Sequence, residues 1–337
     1  MSSSSPDPAL MREAADVLSR GGLVAFPTET VYGLGADAFN VSAVERVFEV
    51  KGRPLDNPLI VHIADAEHLR GLTREIPAKA SVLAEVFWPG PLTLVLKRSP
   101  EIQDRVTAGL DAVAVRIPDH DVTREIIRIL GRGIVGPSAN KSGRPSPTKP
   151  EHVYEDLQGL IELIVDAGPT RMGLESTVVD VTTDPPVILR LGALSRDAIE
   201  SVIGPVETTG EERFLRRSPG SGHHHYAPRA KIILINEGDS SRYSVLVDSF
   251  RNQGKKTAGI VHSFVPRQPE ALDHAVVQVE NVGALSKNLF DLFRSFDRSG
   301  VDAIIVESVL EDGLGAAVMD RIKRAAARPQ SRHEHAG

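Results

Sequence analysis

At 337 residues the chain is longer than one hydrophobic core usually organises, so two domains are expected. With 41% hydrophobic and 25% charged residues, no apolar run long enough to cross a bilayer and no secretion signal in the opening MSSSSPDP, it reads as a globular, cytoplasmic chain without membrane association. Zero cysteines exclude disulfides, thiolate zinc sites and a thiol nucleophile, while a formal net charge of -6 argues against bulk nucleic-acid binding and leaves room only for a local basic patch.

Strand-like apolar runs alternate with helical patterns along the chain, an α/β signature. Asp7 and Pro8 open a first helix in which Leu10, Ala14, Val17 and Leu18 recur at helical spacing, and Gly21 and Gly22 end it. The apolar run 23–26 stops at Pro27 and gives way to threonines, a carboxylate and glycines in FPTETVYGLG (26–35), the pattern of a strand opening into a site-forming loop. Ser42 and Glu45 form a capping-box pattern ahead of Val44, Val47 and Phe48, and that helix delivers Lys51 at its end. In KGRPLDNPLIVHIA (51–64), Lys51 and Arg53 flank Gly52. Cations there suit an anionic ligand, but a pair at a helix end also complements the helix dipole. In the strand that follows, Leu59, Val61 and Ile63 face one side and Ile60, His62 and Ala64 the other, so His62 emerges among apolar neighbours.

Val113, Val115 and Ile117 alternate with Ala114 and Arg116 until Pro118 ends the run. An arginine on such a strand needs an anion to compensate its desolvation, either a protein carboxylate or a ligand. Residues 134–148 read as a strand and a loop of prolines, glycines and serines whose amides and hydroxyls can wrap phosphate and sugar. No GxxxxGK[ST] pattern exists, so an ATP enzyme built on this chain must use another kind of site. Ser176 opens the apolar run 177–181, and Arg190 sits inside the run 187–191. Composition turns polar and glycine-rich around 205–230, marking a linker. Its consecutive His223, His224 and His225 lack the one-face spacing of a helix-borne metal pair, and no metal ligand is assigned. Beyond it, strands at 231–236, 257–264, 275–280 and 301–309 with helices at 283–299 and 315–327 predict a small doubly wound α/β domain. GLGAA (313–317) is a lone Gly-rich turn without a cofactor assignment, and the tail is expected to be disordered.

FPTETVYGLG and KGRPLDNPLIVHIA, followed in order by VAVRIP (113–118), GPSANKSGRPSPT (136–148), GLESTVVD (173–180), ILRLG (188–192) and SPGSGHHHYAP (218–228), resemble the YrdC-type domain of threonylcarbamoyl-AMP synthases. The resemblance covers roughly residues 8–230, and the remainder is similar to the C-terminal domain of the longer family members. It implies a YrdC-type twisted α/β domain over 1–205, a linker or lid over 206–229, a smaller doubly wound Rossmann-like α/β domain over 230–328 and a tail over 329–337. The implied reaction joins L-threonine, bicarbonate and ATP into threonylcarbamoyl-AMP and pyrophosphate, for a downstream tRNA threonylcarbamoyl transferase machinery.

By the same resemblance Thr30, His62, Arg116 and Ser176 hold threonine, with Arg116 gripping its carboxylate. Lys51, Arg53, Asn57, Gly136 through its backbone, Ser138, Asn140, Ser146, Arg190 and Tyr226 face ATP. Magnesium is expected on the triphosphate, without a protein cage. Ser221 and Gly222 depart from the basic or aromatic residues expected in the linker block, which bears on how firmly that block clamps. Two alternatives are an RNA-binding module without ATP turnover, making a weak tRNA contact, and a carbamoyl transferase, a class whose cysteine zinc fingers this chain lacks.

Overall fold

The structure, a computed structural model, describes residues 7–208, 217, 226–265 and 274–327. Most of the block 218–228 and the tail 329–337 therefore lie outside the described residues; of the block, Tyr226, Ala227 and Pro228 are described.

The first helix, Pro8–Ser19, is capped by Asp7, whose carboxylate accepts from the Ala9 amide. Its buried stripe is Met11, Ala14, Ala15 and Leu18; Leu10 is exposed, because the face turned inward is centred one residue further along than the spacing 10, 14, 17, 18 suggests. The second helix, Val41–Lys51, starts at Asn40 and not at the Ser42 capping box. Asn40 is extended and its side chain accepts from the Ala43 amide, so Ser42 already lies inside the helix. Gly52 closes that helix at φ 61, a left-handed conformation that turns the chain sharply between Lys51 and Arg53.

A ten-stranded mixed sheet organises this unit. Its strands are β1 (Val24–Phe26), β2 (Gly33–Asp37), β3 (Ile60–His62), β4 (Leu92–Lys97), β5 (Ala112–Arg116), β6 (Ile134–Val135), β7 (Leu163–Ile164), β8 (Thr177–Asp180), β9 (Val187–Arg190) and β10 (Glu207–Thr208). They lie in the order β10-β9-β8-β4-β5-β3-β6-β2-β1-β7, and β10 carries the sheet past residue 205 into the stretch read as linker. One face bears the main core, with Val61, Val113, Val115 and Val135 packed on Val44, Val47 and Phe48. On the other face, Val24, Phe26, Ala64 and Ile134 meet the first helix, and a separate patch contains Ile60, Ala112, Ala114 and Val178. His62 falls between those patches along β3, and the parallel register His62↔Arg116 sets the two side chains next to each other.

The second unit has four parallel strands, β11 (Lys231–Ile235), β12 (Thr257–Val261), β13 (His274–Gln278) and β14 (Ala303–Glu307), in the order β11-β14-β12-β13. Helices Val282–Arg298 and Gly313–Ala326 cover one face, and Ser240–Arg251 the other. The last of these escapes the sequence pattern because it buries only Tyr243 and Val247 while Val245 is exposed, which blurs its periodicity. Val31 and Leu174 of the first unit join the core of the second, so the two units share an apolar contact. No described helix is long and apolar enough to cross a membrane.

Asn40→Ala should lower unfolding free energy by about 0.5–2 kcal/mol, whereas Ser42→Ala should cost much less. Urea denaturation of both variants checks this; equal losses would return the cap to Ser42.

Candidate active site

Arg116 ends β5 almost wholly buried. Its Nε donates to the Gly90 carbonyl (3.0 Å) and its Nη1 to the Thr30 hydroxyl (2.9 Å). Nη2 lies 2.6 Å from Glu29 Oε2, and both groups are buried. That contact is close enough to be ionic but is not aligned as a hydrogen bond. Of the two compensating anions the sequence left open, the protein thus supplies one, Glu29. The Thr28 hydroxyl donates to the Val31 carbonyl (2.6 Å), so across the 2.8 Å contact between the two threonines it is Thr30 that donates.

Ser176 immediately precedes β8, its hydroxyl 2.7 Å from that of Thr93. Arg190 clamps it, donating from Nε (3.1 Å) and Nη2 (2.9 Å) to the Ser176 carbonyl and from Nη2 to the hydroxyl (3.1 Å). His62 is held neutral: burial, then the charge of Arg116, push its pKa down to about 3. Its Nδ1 is buried without a hydrogen-bond partner. A Cβ on Gly136 would lie 2.5 Å from that nitrogen and 2.6 Å from the Phe26 ring, so a glycine is what lets the loop run past the imidazole.

On the opposite side, the Lys51 ammonium donates to the carbonyls of Ser138 and Asn140, each at 2.5 Å. Burial and then Arg53 lower its pKa, but even a neutral amine has enough N–H bonds for both contacts. Lys51 therefore both lines the site and shapes the loop 136–148. Arg53 donates to Asn57 and to the Pro58 carbonyl, pairs with no carboxylate among the described residues, and is brought down to about 9 by burial. The Asn140 amide spans the Lys141 and Arg144 carbonyls. The Ser146 hydroxyl donates to Glu175, whose pKa is lowered although burial alone would raise it, because Arg321 and Arg190 face the carboxylate. Tyr226, at φ 70, stacks on Phe290 (5.4 Å) and lies under the Arg321 guanidinium (5.3 Å), anchored by the second unit.

These groups enclose one cavity. Thr30, Lys51, Arg53, His62, Arg116, Gly136, Ser138, Asn140, Ser176, Arg190 and Tyr226 line it; Asn57 and Ser146 do not, since Asn57 orients Arg53 from behind and Ser146 turns to Glu175. Thr28, Val31, Gly33, Ile60, Pro137, Ser142 and Glu175 also line it and were not singled out from the sequence. All but Val31, Gly33 and Ile60 are polar residues or prolines of the motif blocks, so block membership was their signal. Which of them point inward depends on loop geometry. Among the described residues, four cations and one carboxylate on the wall favour anionic ligands. At about 60 Å³ the cavity is well below the roughly 300 Å³ where pockets for drug-sized ligands begin, so a nucleotide enters only if part of the wall moves. A larger cavity of about 440 Å³ beneath Trp88 is mostly apolar and lies apart from these groups.

Residues 16–192 match the Sua5, YciO and YrdC family described as telomere recombination, and residues 194–327 match the threonylcarbamoyl-AMP synthase C-terminal domain. Over 94% of this chain there is 47% identity to the threonylcarbamoyl-AMP synthase of Pyrococcus abyssi, 93% of which is covered. The Bacillus subtilis threonylcarbamoyl-AMP synthase is 45% identical over 96% of this chain and 94% of its own length. The chain belongs to the threonylcarbamoyl-AMP synthase family. The crystal structure of P. abyssi Sua5 complexed with L-threonine superposes with a TM-score of 0.87 at 47% identity, covering 94% of each chain. Family membership makes this chain an enzyme and sets aside the reading of a bare RNA-binding module.

Lys51→Met should leave the Ser138 and Asn140 carbonyls unpaired, at about 1–3 kcal/mol each, and lower the denaturation midpoint; an unchanged midpoint would show that the loop does not depend on it. His62 has a second consequence. An unfolded imidazole with its ordinary pKa of 6.5 takes up a proton that the folded one, at about 3, refuses. Stability should therefore fall as pH drops below 6.5 toward 3, and His62→Gln should flatten part of that slope. Denaturation midpoints of both proteins at pH 7 and pH 5 measure it, and identical slopes would place the titration elsewhere.

Proposed function

We propose that this chain forms threonylcarbamoyl-AMP and pyrophosphate from L-threonine, bicarbonate and ATP, and that its product is handed to a tRNA threonylcarbamoyl transferase machinery. The observation that carries the reading is the half-committed Arg116. A guanidinium has five N–H donors; one goes to Gly90 and one to Thr30, and of the other three, two are on Nη2, which lies 2.6 Å from Glu29 without an aligned hydrogen bond. Beside Thr30, Ser176 and neutral His62, those donors form a two-pronged seat for the carboxylate of a small amino acid. Glu29 keeps the seat oriented by charge. The family relative complexed with L-threonine supports that choice of amino acid.

ATP meets the other wall, where Arg53 and Arg190 carry charge toward the phosphates and the loop 136–148 offers its backbone. No protein nucleophile is needed: the threonine amine captures the bicarbonate carbon with loss of water, and the carbamate oxygen attacks the α-phosphorus, breaking its bond to the bridging oxygen so that pyrophosphate leaves. The protein positions the reactants and stabilises developing negative charge. Magnesium arrives with the triphosphate as part of the substrate. Glu175, the carboxylate on the wall, is engaged by Arg321 and Ser146, which leaves the phosphate oxygens as the ion's main ligands. Tyr226 is the part of the wall that moves to admit the nucleotide, and it serves as a lid that keeps water from the carbamate and the adenylate. A carbamoyl transferase is less well supported, because relatives named as synthases match nearly the whole chain.

Pyrophosphate release from ATP should require both threonine and bicarbonate; release independent of either would sink the reading. Arg116→Ala should weaken threonine binding about ten- to hundredfold, on the order of 1.5–3 kcal/mol, and Arg116→Lys should recover little because the fork is lost. Calorimetric threonine titration measures both.

A further inference from the structure

Arg294 and Arg321 are the largest fully buried side chains among the described residues, and both belong to the second unit. They project from the helices Val282–Arg298 and Gly313–Ala326 into the first. Arg321 Nε donates to Glu175 Oε2 (2.9 Å), and the other oxygen of that carboxylate accepts from the Ser146 hydroxyl (2.5 Å). Arg294 forks onto Asp156 (3.1 and 3.0 Å) and also donates from Nη2 to the Pro145 carbonyl (2.6 Å). Asp156 in turn accepts from the Lys141 amide (3.2 Å) and pairs with Arg144 (2.5 Å). Both buried guanidiniums thus act on one loop, ending at consecutive residues, Pro145 and Ser146. Neither lines the cavity.

Simple adhesion between the units accounts poorly for this arrangement. A buried ion pair typically contributes no more than a packed apolar pair of the same size, because desolvation offsets the attraction. Adhesion is already supplied by the shared apolar contact and by half-exposed pairs such as Arg298 with Glu155. What a fully buried guanidinium adds, forked onto Asp156 in Arg294 and bridging Glu175 and Asp320 in Arg321, is a defined position for the atoms it holds.

We propose that Arg294 and Arg321 are positioning residues through which the C-terminal unit sets the geometry of the loop 136–148, and so controls nucleotide binding without touching the nucleotide. Neither arginine bonds the threonine side, where Arg116, Thr30 and Ser176 are held within the first unit by Glu29, Gly90, Thr28, Thr93 and Arg190. The identity of the two ligands rests on the function proposed above.

The test uses the full chain carrying Arg321→Met, Arg294→Leu or Arg321→Lys, with Arg298→Ala as an interface control. Calorimetry with ATP and with L-threonine is paired with hydrogen exchange of the amides of the loop 136–148 in the absence of ligand. Expected results are ATP affinity at least tenfold weaker in Arg321→Met and Arg294→Leu, threonine affinity unchanged within about twofold, faster loop exchange, and an Arg298→Ala protein like the parent. Arg321→Lys keeps the charge but loses the planar guanidinium that bonds Glu175 and Asp320 together, and should fall between parent and Arg321→Met; it also carries the test if the apolar variants do not fold. Parent-like ATP affinity and loop exchange in a folded variant would overturn the proposal, as would equal weakening of both ligands. Should the parent itself bind no ATP, the proposed function fails, and the loop exchange rates alone decide whether these arginines position the loop.

Discussion

Desolvation of positive charge is the constraint on which the rest of this structure depends. Arg116, Arg53, Arg190 and Lys51 all stand around one small cavity and all are buried. Each would cost several kcal/mol left uncompensated. The compensation takes two forms. Arg116 has a carboxylate, Glu29, together with a hydroxyl and a carbonyl. Lys51 and Arg53 have mainly carbonyls, which satisfy N–H groups without cancelling charge. The wall is therefore hydrogen-bonded yet still positive, a state suited to a ligand that brings negative charge of its own.

The same constraint explains how the loop 136–148 keeps its shape. It has almost no regular structure, and its order comes from side chains that reach it from three directions. Lys51 takes its first carbonyls, Asn140 ties it to itself, and Asp156 and Glu175 collect its later residues. Those two carboxylates are in turn shared with arginines from the second unit. A loop held this way can be precise without being long or apolar, and its precision is delocalised over both units.

Tyr226 belongs to the same economy of contacts. Its left-handed backbone, its stacking on Phe290 and the guanidinium of Arg321 above its ring fasten it to the second unit while one side of it faces the cavity. Movement of that residue is thereby tied to the contact between the units. The chain that leads into it, including Ser221 and Gly222, lies outside the described residues.

The elements were legible in the sequence because they depend on local rules, and the chemistry of the site because its motif blocks resemble those of the family. Alternation placed Ile60, His62 and Ala64 on one side of β3 and Arg116 at the end of β5, and the strands of the second unit fall within a few residues of their expected spans. The blocks carrying glycine, serine and arginine named most of the cavity wall. What the sequence left undecided was who pairs with whom. Glu29 as partner of Arg116, the hold of Lys51 on the Ser138 and Asn140 carbonyls, the retreat of Asn57 and Ser146 from the wall, and the reach of Arg294 and Arg321 across the units all join residues far apart in the chain, apart from the short-range pairing of Asn57 with Arg53. Periodicity fixes the side of a strand or helix on which a residue lies; the partner of a buried charge is set by the three-dimensional packing that removes it from water, and only the tertiary structure decides that.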